Sequence, residues 1–222
     1  MCGRFLISAT PDAVASRFGL ASAPDLPPRW NVAPGQNVPT VRSSRHGERT
    51  LSMMQWGLIP HWAKDPGIGH KLINARAETA ATKASFRAPL KSHRCLIVTD
   101  GFYEWQQVDG RKQPWCIRAV DDSPFAMAGL WACWRGGDDP IETFTILTTA
   151  PNATVKPIHN RMPVIVSPEN YNLWLDPLNT DVGSLQDVLA PAADDLLHAF
   201  AVSRHVNRPA NDDPECIRPI DT

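Results

Sequence analysis

The chain has 222 residues, 43% of them hydrophobic, which is enough to bury the core of one large or two small domains. Its charges almost cancel, with 22 Lys and Arg against 23 Asp and Glu, so no global positive field is available to hold a long duplex, and any nucleic-acid site must be local. Its 5 cysteines include no C-x-x-C pair, which argues against a disulfide framework and a zinc finger. We expect no metal and no cofactor.

The sequence also lacks the features of a membrane protein. It has no apolar run of transmembrane length. The first residues do not form a secretory signal, because polar residues resume directly after Ile7. We therefore expect a soluble, cytoplasmic protein. Separately, we expect a monomer, although no feature of the sequence specifies the oligomeric state.

Local signals predict a helix and a hairpin in the first 60 residues. Thr10 at an N-cap position and Pro11 in the first turn begin a short helix, which ends at Gly19. Segments 37–44 and 49–55 alternate apolar and polar residues on either side of a glycine-containing turn. This pattern predicts a β-hairpin.

The middle of the chain is predicted to pass from a helix into strands. Residues 73–79 are expected to open a short helix, with Asn74 as its N-cap. Residues 96–99 are apolar and typical of a buried strand. Residues 101–105 continue from this strand into a hairpin that turns at Asp109-Gly110.

The second half is predicted to be rich in strands. We expect strands at 115–120, 126–134, 143–149, 162–166 and 200–206, and helices at 167–175 and 184–189. No repeat or linker divides the chain, so the expected fold is one α+β domain, residues 1–208, with a mostly antiparallel, strongly curved sheet. The proline-rich, charged residues 209–222 are expected to form a loosely ordered tail.

The second residue of the chain carries the most distinctive chemistry. Cys2 is small enough for a methionine aminopeptidase to remove Met1, which would leave an α-amine and a thiol on adjacent carbons. Their ordinary pKa values, about 7.7–8.0 and about 8.5, leave both partly nucleophilic near neutral pH. An exposed pair of this kind condenses with an aldehyde to a Schiff base and then to a thiazolidine. The alternative is that Cys2 is a small apolar residue leading into a strand.

Two further residues are candidates for proton transfer. Glu104 lies between Tyr103 and Trp105 on a predicted strand, where it is either solvated or a buried acid with a raised pKa. His159 comes just before a buried strand, a position where loops often hold catalytic side chains. A surface histidine with no chemical role is the alternative for His159.

Several tryptophans and cations suggest a local nucleic-acid surface. Tryptophans in or next to Pro- and Gly-rich loops, together with nearby cations, would stack bases and bind phosphates of a single strand. Packing in the core is the alternative, because large aromatic side chains are mostly buried. The residues are Trp30, Trp56, Trp62, Trp105, Arg4, Arg29, Lys64, Lys71 and Arg76.

Six motifs follow one another in a set order along residues 1–166. They are Met1-Cys2-Gly3-Arg4; Trp56-Gly57-Leu58-Ile59-Pro60 with Trp62; Asn74-Ala75-Arg76-Ala77-Glu78-Thr79; Gly101-Phe102-Tyr103-Glu104-Trp105; Leu147-Thr148-Thr149-Ala150; and His159 with Arg161-Met162-Pro163. In these motifs the sequence closely resembles the SOS-response-associated peptidase family, SRAP. One departure is Asn160, where many members carry an aspartate. The resemblance implies a bifurcated, barrel-like sheet and a positively charged cleft for single-stranded DNA.

The resemblance also implies a reaction. The amine of Cys2 would attack the open-chain aldehyde of an abasic site, and its thiol would close a thiazolidine, leaving a covalent DNA–protein crosslink that shields the lesion. Glu104 would shuttle protons. Asn74 would hold the opened sugar. His159 would act on sugar oxygens during ring opening and reversal.

DNA binding is implied for further residues. By resemblance, Arg76 and Arg161, with Arg4 as a third, would bind flanking phosphates, and Trp62 would fill the space left by the missing base. The implied partner is single-stranded DNA that contains abasic sites, met at the nucleoid during the SOS response to damage. A Schiff base on deoxyribose also permits β-elimination, so strand cleavage by a lyase reaction is an expected side branch.

Two other classes of function remain open. An amino-terminal cysteine can be the nucleophile of a peptidase, with its own amine as base, and removal of Met1 would then be self-catalysed. Alternatively, the protein reads modified or single-stranded DNA without covalent chemistry, and Cys2 is structural.

Overall fold

The computed structural model describes residues 2–22 and 26–221. Met1, at the start of the predicted domain, and Thr222, at the end of the predicted tail, therefore lie outside the described residues. The strands are β1 (Arg4–Ile7), β2 (Arg29–Val32), β3 (Asn37–Ser43), β4 (Arg49–Trp56), β5 (Asn74–Arg76), β6 (Arg94–Thr99), β7 (Gly101–Val108), β8 (Arg111–Ala119), β9 (Phe125–Trp134), β10 (Ile141–Thr149), β11 (Met162–Pro163), β12 (Ile165–Val166) and β13 (Leu197–Ala201). The α-helices are α1 (Pro11–Phe18), α2 (Ala77–Ala80), α3 (Arg87–Ser92) and α4 (Tyr171–Leu175). Short 3-10 helices span Pro66–Lys71, Pro168–Asn170, Val182–Leu185, Arg204–Asn207 and Pro214–Ile217. Among the helices of these described segments, none has the length and apolar character needed to cross a membrane.

Five strands close into a barrel. β10 pairs with β4 on one side and β9 on the other, and the antiparallel path from β4 through β3 and β6 to β9 completes the ring. β4 and the short β5 both run parallel to β10. The hydrophobic core includes fully buried residues from each of the five barrel strands, among them Val41, Met54, Ile97, Leu130 and Ile146.

A second sheet brings the start of the chain beside β7. Its strand order is β13-β8-β7-β1-β2, and its pairings are antiparallel. Arg4 lies opposite Tyr103, so the residues before β1 and those after Tyr103 continue at the same end of the sheet. This register brings Cys2 toward Glu104. The two sheets together confirm the predicted α+β fold with a mostly antiparallel, barrel-like sheet.

Local signals near turns and caps predicted structure correctly. Thr10 caps α1, because its side chain accepts a hydrogen bond from the Ala13 N–H, and Gly19 ends the helix with φ of 62°. Asp109 and Gly110 have φ of 48° and 76°, which lets a two-residue turn join β7 to β8. The hairpin of β3 and β4 is also confirmed.

The prediction of a helix over residues 73–79 is wrong for its first half. Asn74 is in strand β5, opposite Ile146 of β10, and α2 begins only at Ala77. The cap position of α2 is Arg76, whose side chain makes no capping hydrogen bond. Parallel pairing with a buried strand therefore outweighs the local capping preference of Asn74.

Three other predictions need correction. The segment 162–166 is not one strand, because β11 pairs with β10 whereas β12 pairs with β9, and Val164 bridges the two through backbone hydrogen bonds. The helix predicted at 184–189 is a 3-10 helix over Val182–Leu185. The last strand lies earlier than predicted, at Leu197–Ala201, since Ser203 caps a 3-10 turn where 200–206 was expected to be extended.

The segment that follows residue 208 is attached to β2, whereas its composition favours a loosely ordered tail. The carboxylate of Asp212 accepts hydrogen bonds from the backbone N–H groups of Trp30 and Asn31. The Asn31 side chain is fully buried and donates to the carbonyl of Asn211 at 2.7 Å. Further along, the Ile220 N–H donates to the carbonyl of Ala201. Long-range hydrogen bonds of this kind leave no signal in composition.

Arg94 joins two helices to the barrel. Its side chain is 3% exposed, and its guanidinium lies 5.7 Å from the centre of the Trp174 ring. The guanidinium donates to backbone carbonyls near the ends of α3 and α4 and in the loop after α4, so the buried charge is solvated by oriented peptide dipoles. The acceptors are the carbonyls of Leu90, Lys91, Trp174, Asp176 and Asn179.

Candidate active site

Asn74 is hydrogen-bonded to the second residue of the chain. Its Nδ2 donates to the carbonyl oxygen of Cys2 at 2.8 Å. Its Oδ1 is buried and has no hydrogen-bond partner among the described residues, which leaves an acceptor for a bound hydroxyl group. This contact joins β5, and through it the barrel, to the start of β1.

Cys2 is fully buried, which contradicts the expectation of an exposed leading cysteine. Burial raises the pKa of its thiol, and the nearby carboxyl of Glu104 raises it further. The thiol is therefore neutral at physiological pH. The reason for the difference is that β1 lies between two neighbouring strands, so the residues that precede it are drawn into the core.

Glu104 was expected to be either a solvated residue or a buried acid, and in the structure it is buried. Its side chain is on β7, opposite Trp115 of β8, and the residue is 2% exposed. Burial raises the pKa of its carboxyl group, while the nearby His159 acts in the opposite direction. A carboxyl group in this environment keeps its proton to a higher pH than an exposed glutamate does.

His159 contacts both Glu104 and Arg161. Its Nδ1 lies 3.9 Å from Oε1 of Glu104, and it is 3.1 Å from the backbone nitrogen and 3.1 Å from the backbone oxygen of Arg161. The Arg161 N–H points at Nδ1 and donates to it, so this contact fixes the orientation of the ring.

Glu104 and His159 line a cavity of about 350 Å³. Three further residues complete its wall: Trp105, which the sequence indicated as a candidate for base stacking, and Lys112 and Asn207, which it did not indicate. The indole N–H of Trp105 donates to Oδ1 of Asn207 at 2.8 Å, which fixes the ring. The register of the predicted hairpin pairs Lys112 with Gln107 and was a usable signal for Lys112. Asn207 instead is positioned by its contact with Trp105, 102 residues away in sequence.

A larger cavity of about 620 Å³ lies near the tip of the β7–β8 hairpin. Its charged lining residues are all exposed, so their environment resembles bulk water. We place the site in the smaller cavity, where a carboxyl group is buried. The charged residues of the larger cavity are Asp109, Arg111, Arg204 and Asp221.

Two of the three arginines expected to bind phosphate are engaged within the protein. Arg4 donates to Oδ1 of Asn31 at 2.8 Å and to the carbonyl of Val206 at 2.9 Å. Arg161 forms a two-point ion pair with Glu78, at 2.6 and 2.9 Å. Glu78 thereby supplies a charge partner for Arg161 at a site where the neighbouring position is the uncharged Asn160.

Arg76 and two of the loop tryptophans differ in their exposure to solvent. Arg76 is exposed at the start of α2, and Trp62 is 49% exposed. Trp56 is 1% exposed and stacks on Phe144, so packing in the core is the correct interpretation for this residue. The surface open to a ligand therefore retains Arg76 and Trp62.

One group of possible metal ligands occurs in the described residues, formed by His205, Asp213 and Cys216. The Asn211 Nδ2 group donates to the carbonyl oxygen of His205 at 2.7 Å, which identifies it as the amide nitrogen, and it lies 3.1 Å from Nδ1 of the same ring. Nδ1 must then be the acceptor, and Nε2 carries the hydrogen that points to Asp213. This arrangement is a hydrogen-bonded pair, and it does not fit ligation of a metal through Nε2.

Comparison with known proteins identifies relatives along the whole chain. A family model described as "SOS response associated peptidase (SRAP)" matches residues 1–209. The chain is 45% identical over 222 residues to "Abasic site processing protein YoqW" of Bacillus subtilis, covering 98% of this chain and 99% of that protein. It is 36% identical to "Abasic site processing protein YedK" of Escherichia coli, with 79% of each chain covered.

A solved structure has the same fold. The crystal structure of a protein from Bacteroides thetaiotaomicron matches with a TM-score of 0.88 and 29% identity, covering 99% of this chain and 100% of that chain. The family match and the curated relatives confirm the resemblance carried by the six motifs. The chain therefore belongs to the SOS response associated peptidase family, SRAP.

Proposed function

We propose that this protein processes abasic sites in single-stranded DNA by forming a covalent link through Cys2. Relatives that cover nearly the whole chain are named abasic site processing proteins. The observation that carries the proposal is the hydrogen bond from Asn74 to the Cys2 carbonyl, because it holds the start of the chain on β5, where the Glu104 carboxyl group acts on the Cys2 thiol.

The first step needs the nitrogen of Cys2 to be an amine. Removal of Met1 converts this amide nitrogen into the new chain end. The amine then attacks the aldehyde carbon of the opened sugar, the C–N bond forms, and one proton moves from the nitrogen to the former carbonyl oxygen. Glu104 donates the proton that lets this oxygen leave as water, since burial keeps its carboxyl group protonated to a higher pH.

The second step uses the thiol. The sulfur of Cys2 attacks the imine carbon, the C–S bond forms, and the electron pair of the C=N bond returns to nitrogen. Glu104, now a carboxylate, takes the thiol proton. A neutral buried thiol fits this order, because it adds to the activated imine only after the amine has reacted.

Asn74 and His159 act on the sugar. The buried Oδ1 of Asn74 is an acceptor for a hydroxyl group of the opened ring. The imidazole of His159 lies beside Glu104, with Nδ1 3.9 Å from Oε1, and is the group that we expect to exchange a proton with a ring oxygen of the sugar. The cavity of about 350 Å³ lined by Glu104 and His159 is the route by which we expect the DNA to reach Cys2.

The burial of Cys2 disfavours the peptidase alternative. A peptidase of this type requires a thiolate, or a thiol that its neighbours deprotonate easily. Burial and the Glu104 carboxyl group both raise the pKa of this thiol. We propose that an aminopeptidase removes Met1, and the intact mass of the protein expressed in cells with and without that enzyme tests this proposal.

The crosslink is tested with single-stranded DNA that carries one abasic site. We expect a heat-stable covalent band on a denaturing gel for the wild type and none for Cys2→Ala. Cys133→Ala is the matched control, because Cys133 is a partly exposed cysteine outside the site and should crosslink as the wild type does. A band that appears only after borohydride treatment would restrict the reaction to the imine. An undiminished band with Cys2→Ala, or none with wild-type protein that lacks Met1, contradicts the proposal.

A further inference from the structure

We propose that Trp56 is a positioning residue for the active site, because its indole ring contacts the chain on both sides of the hydrogen bond between Asn74 and Cys2. The inference rests on the proposed function for its catalytic consequence, but its structural part can be tested in the free protein. This role is additional to the core packing of Trp56.

The indole N–H of Trp56 is bound to the residue that precedes Asn74. Trp56 ends β4, is 1% exposed, and donates from Nε1 to the carbonyl oxygen of Ile73 at 2.9 Å. The N–H of Ile146 on β10 donates to the same oxygen at 3.1 Å. Two donors from different strands fix the peptide plane that joins Ile73 to Asn74. The direction in which the Asn74 side chain leaves β5 is therefore set in part by the indole.

The same ring packs against the strand that follows Cys2. The centre of the Trp56 ring lies 5.1 Å from that of Phe5 on β1 and 6.3 Å from that of Phe144 on β10. Phe5 and Phe144 are both fully buried, so neither ring can move away without opening a void in the core. The indole thus holds β1 and β5 at the separation at which the Asn74 side chain reaches the Cys2 carbonyl, at 2.8 Å.

A second role for the indole hydrogen bond has to be separated from this one. Residues 57–72, the connecting segment, join Trp56 to Ile73 and carry Trp62, which is 49% exposed. A hydrogen bond that served only to close this segment would influence Trp62 and the affinity for DNA. A hydrogen bond that positions Asn74 influences the rate of reaction in the bound complex. Affinity and rate at saturation therefore distinguish the two roles.

Two other buried tryptophans are matched controls for Trp56. Trp174 is fully buried, and its Nε1 donates to the carbonyl oxygen of Cys95 at 2.9 Å. Trp134 is 5% exposed, and its Nε1 donates to the carbonyl oxygen of Ala63 in the connecting segment at 2.8 Å. Each makes the same type of hydrogen bond to a backbone carbonyl outside the active site. The first controls for loss of core packing, and the second controls for loosening of the connecting segment.

The kinetic test compares Trp56→Phe with Trp174→Phe and Trp134→Phe. Phenylalanine keeps an aromatic ring but lacks the N–H donor, so we expect the crosslinking rate at saturating abasic-site DNA to fall about tenfold in Trp56→Phe from displacement of Asn74. Affinity for undamaged single-stranded DNA should stay within about twofold, because no phosphate contact is lost. All three variants leave a cavity in the core and should lose stability, but both controls should keep the wild-type rate at saturation.

Replacement of the Trp56 indole by benzothiophene is the second variant for the same measurement. The sulfur-containing ring system keeps the shape that packs against Phe5 and has no N–H donor, so it removes the hydrogen bond without leaving a cavity. We expect the same fall of about tenfold in the rate at saturation. This variant decides the kinetic test if Trp56→Phe does not fold. A wild-type rate with benzothiophene overturns the proposed role of the N–H group.

A spectroscopic test decides the structural claim whether or not the protein crosslinks. The proton and nitrogen NMR signals of the Asn74 carboxamide in the free protein can be identified by their loss in Asn74→Asp. They should move upfield in Trp56→Phe and in the benzothiophene variant, because the hydrogen bond to the Cys2 carbonyl lengthens. They should stay unchanged in Trp174→Phe and Trp134→Phe.

Three results overturn the proposal. The first is unchanged Asn74 signals in both Trp56 variants. The second is a reduced affinity with an unchanged rate at saturation, which would assign the hydrogen bond to the connecting segment. The third is an equal fall in rate in all three phenylalanine variants, which would make the fall an effect of stability. Absence of a wild-type crosslink would refute the proposed function and leave the NMR result to decide this inference.

Discussion

Polar groups are buried both in the corner around Arg94 and in the cleft around Cys2, but their hydrogen bonding differs. Arg94 donates to carbonyls from two helix ends and from the loop that follows, so the corner is saturated with internal contacts. In the cleft, the buried Oδ1 of Asn74 lacks a partner among the described residues, and burial raises the pKa values of Cys2 and Glu104. The comparison separates a corner that contributes stability from a cleft that retains capacity for chemistry.

The largest effect is expected from a substitution in the corner around Arg94. Arg94→Met removes the donor from several buried carbonyls, and because each unpaired buried group costs about 1–3 kcal/mol, we expect the free energy of unfolding to fall by about 3 kcal/mol or more. Urea denaturation measures this change. Arg42→Met is the control, since its ion pair with Glu142 is partly exposed and should contribute less than about 1 kcal/mol. A loss of similar size in the two variants would remove the distinction between the corner and an ordinary surface contact.

The next largest effect is expected from a substitution of Glu104 in the cleft. Glu104→Gln removes the proton donor and acceptor of both proposed steps, so we expect crosslinking to slow about 100-fold while DNA binding is retained. Single-turnover gels and a binding assay measure the two quantities. Asp100→Asn is the matched control, because Asp100 is another buried carboxyl group whose pKa burial raises, and it accepts hydrogen bonds from Ser8 and Ala9 instead of facing the cavity. Equal rates for Glu104→Gln and the wild type would remove Glu104 from the mechanism.

Glu104→Gln also has a pH signature. A carboxyl group whose pKa is raised in the folded state loses its proton first in the unfolded chain, so this residue lowers stability as the pH rises above the ordinary carboxyl range. Glutamine removes that contribution. We expect the unfolding free energy of the variant to decline less than that of the wild type between mildly acidic and neutral pH, as measured by urea denaturation across that range.

The smallest expected effect concerns the exposed rim. Arg76→Ala should weaken binding of single-stranded DNA and reduce the slope of log affinity against log salt by about 1, because one phosphate contact is lost. Fluorescence anisotropy at several salt concentrations measures both. Arg45→Ala, on the exposed turn between β3 and β4, is the matched control and should leave the slope unchanged. An unchanged slope in Arg76→Ala would place phosphate binding elsewhere.

The parts of the fold that the sequence predicted are those set by neighbouring residues. Thr10 and Gly19 bound α1 through contacts within a few residues, and the turn at Asp109-Gly110 fixes the register of β7 and β8. Asn74 shows the limit of such signals. Its neighbours favour a helix cap, but its position is decided by pairing with β10, about 70 residues later.

The sequence predicted only part of the candidate site, because local motifs identify residues but not the long-range contacts they make. Motif resemblance pointed to Cys2, Asn74, Glu104 and His159, and contacts in the structure connect these residues. Their catalytic roles stay predictions. The burial of the cysteine and the internal hydrogen bonds of Arg4 and Arg161 were not predictable, because each depends on segments distant in sequence. The packing of residues after 208 against β2 has the same origin.

Burial of the Cys2 thiol has a consequence for the working life of the molecule. In the proposed reaction the protein joins itself to a lesion and is consumed, so its sulfur would have to survive unaltered from synthesis until the single occasion on which it reacts. Oxidants attack accessible thiolates, whereas a sulfur inside the core is both protonated and inaccessible. Cys133 is the only cysteine of the five that is not fully enclosed, so it stands as the first target of peroxide or alkylating agents, and the reagent needed for repair is preserved.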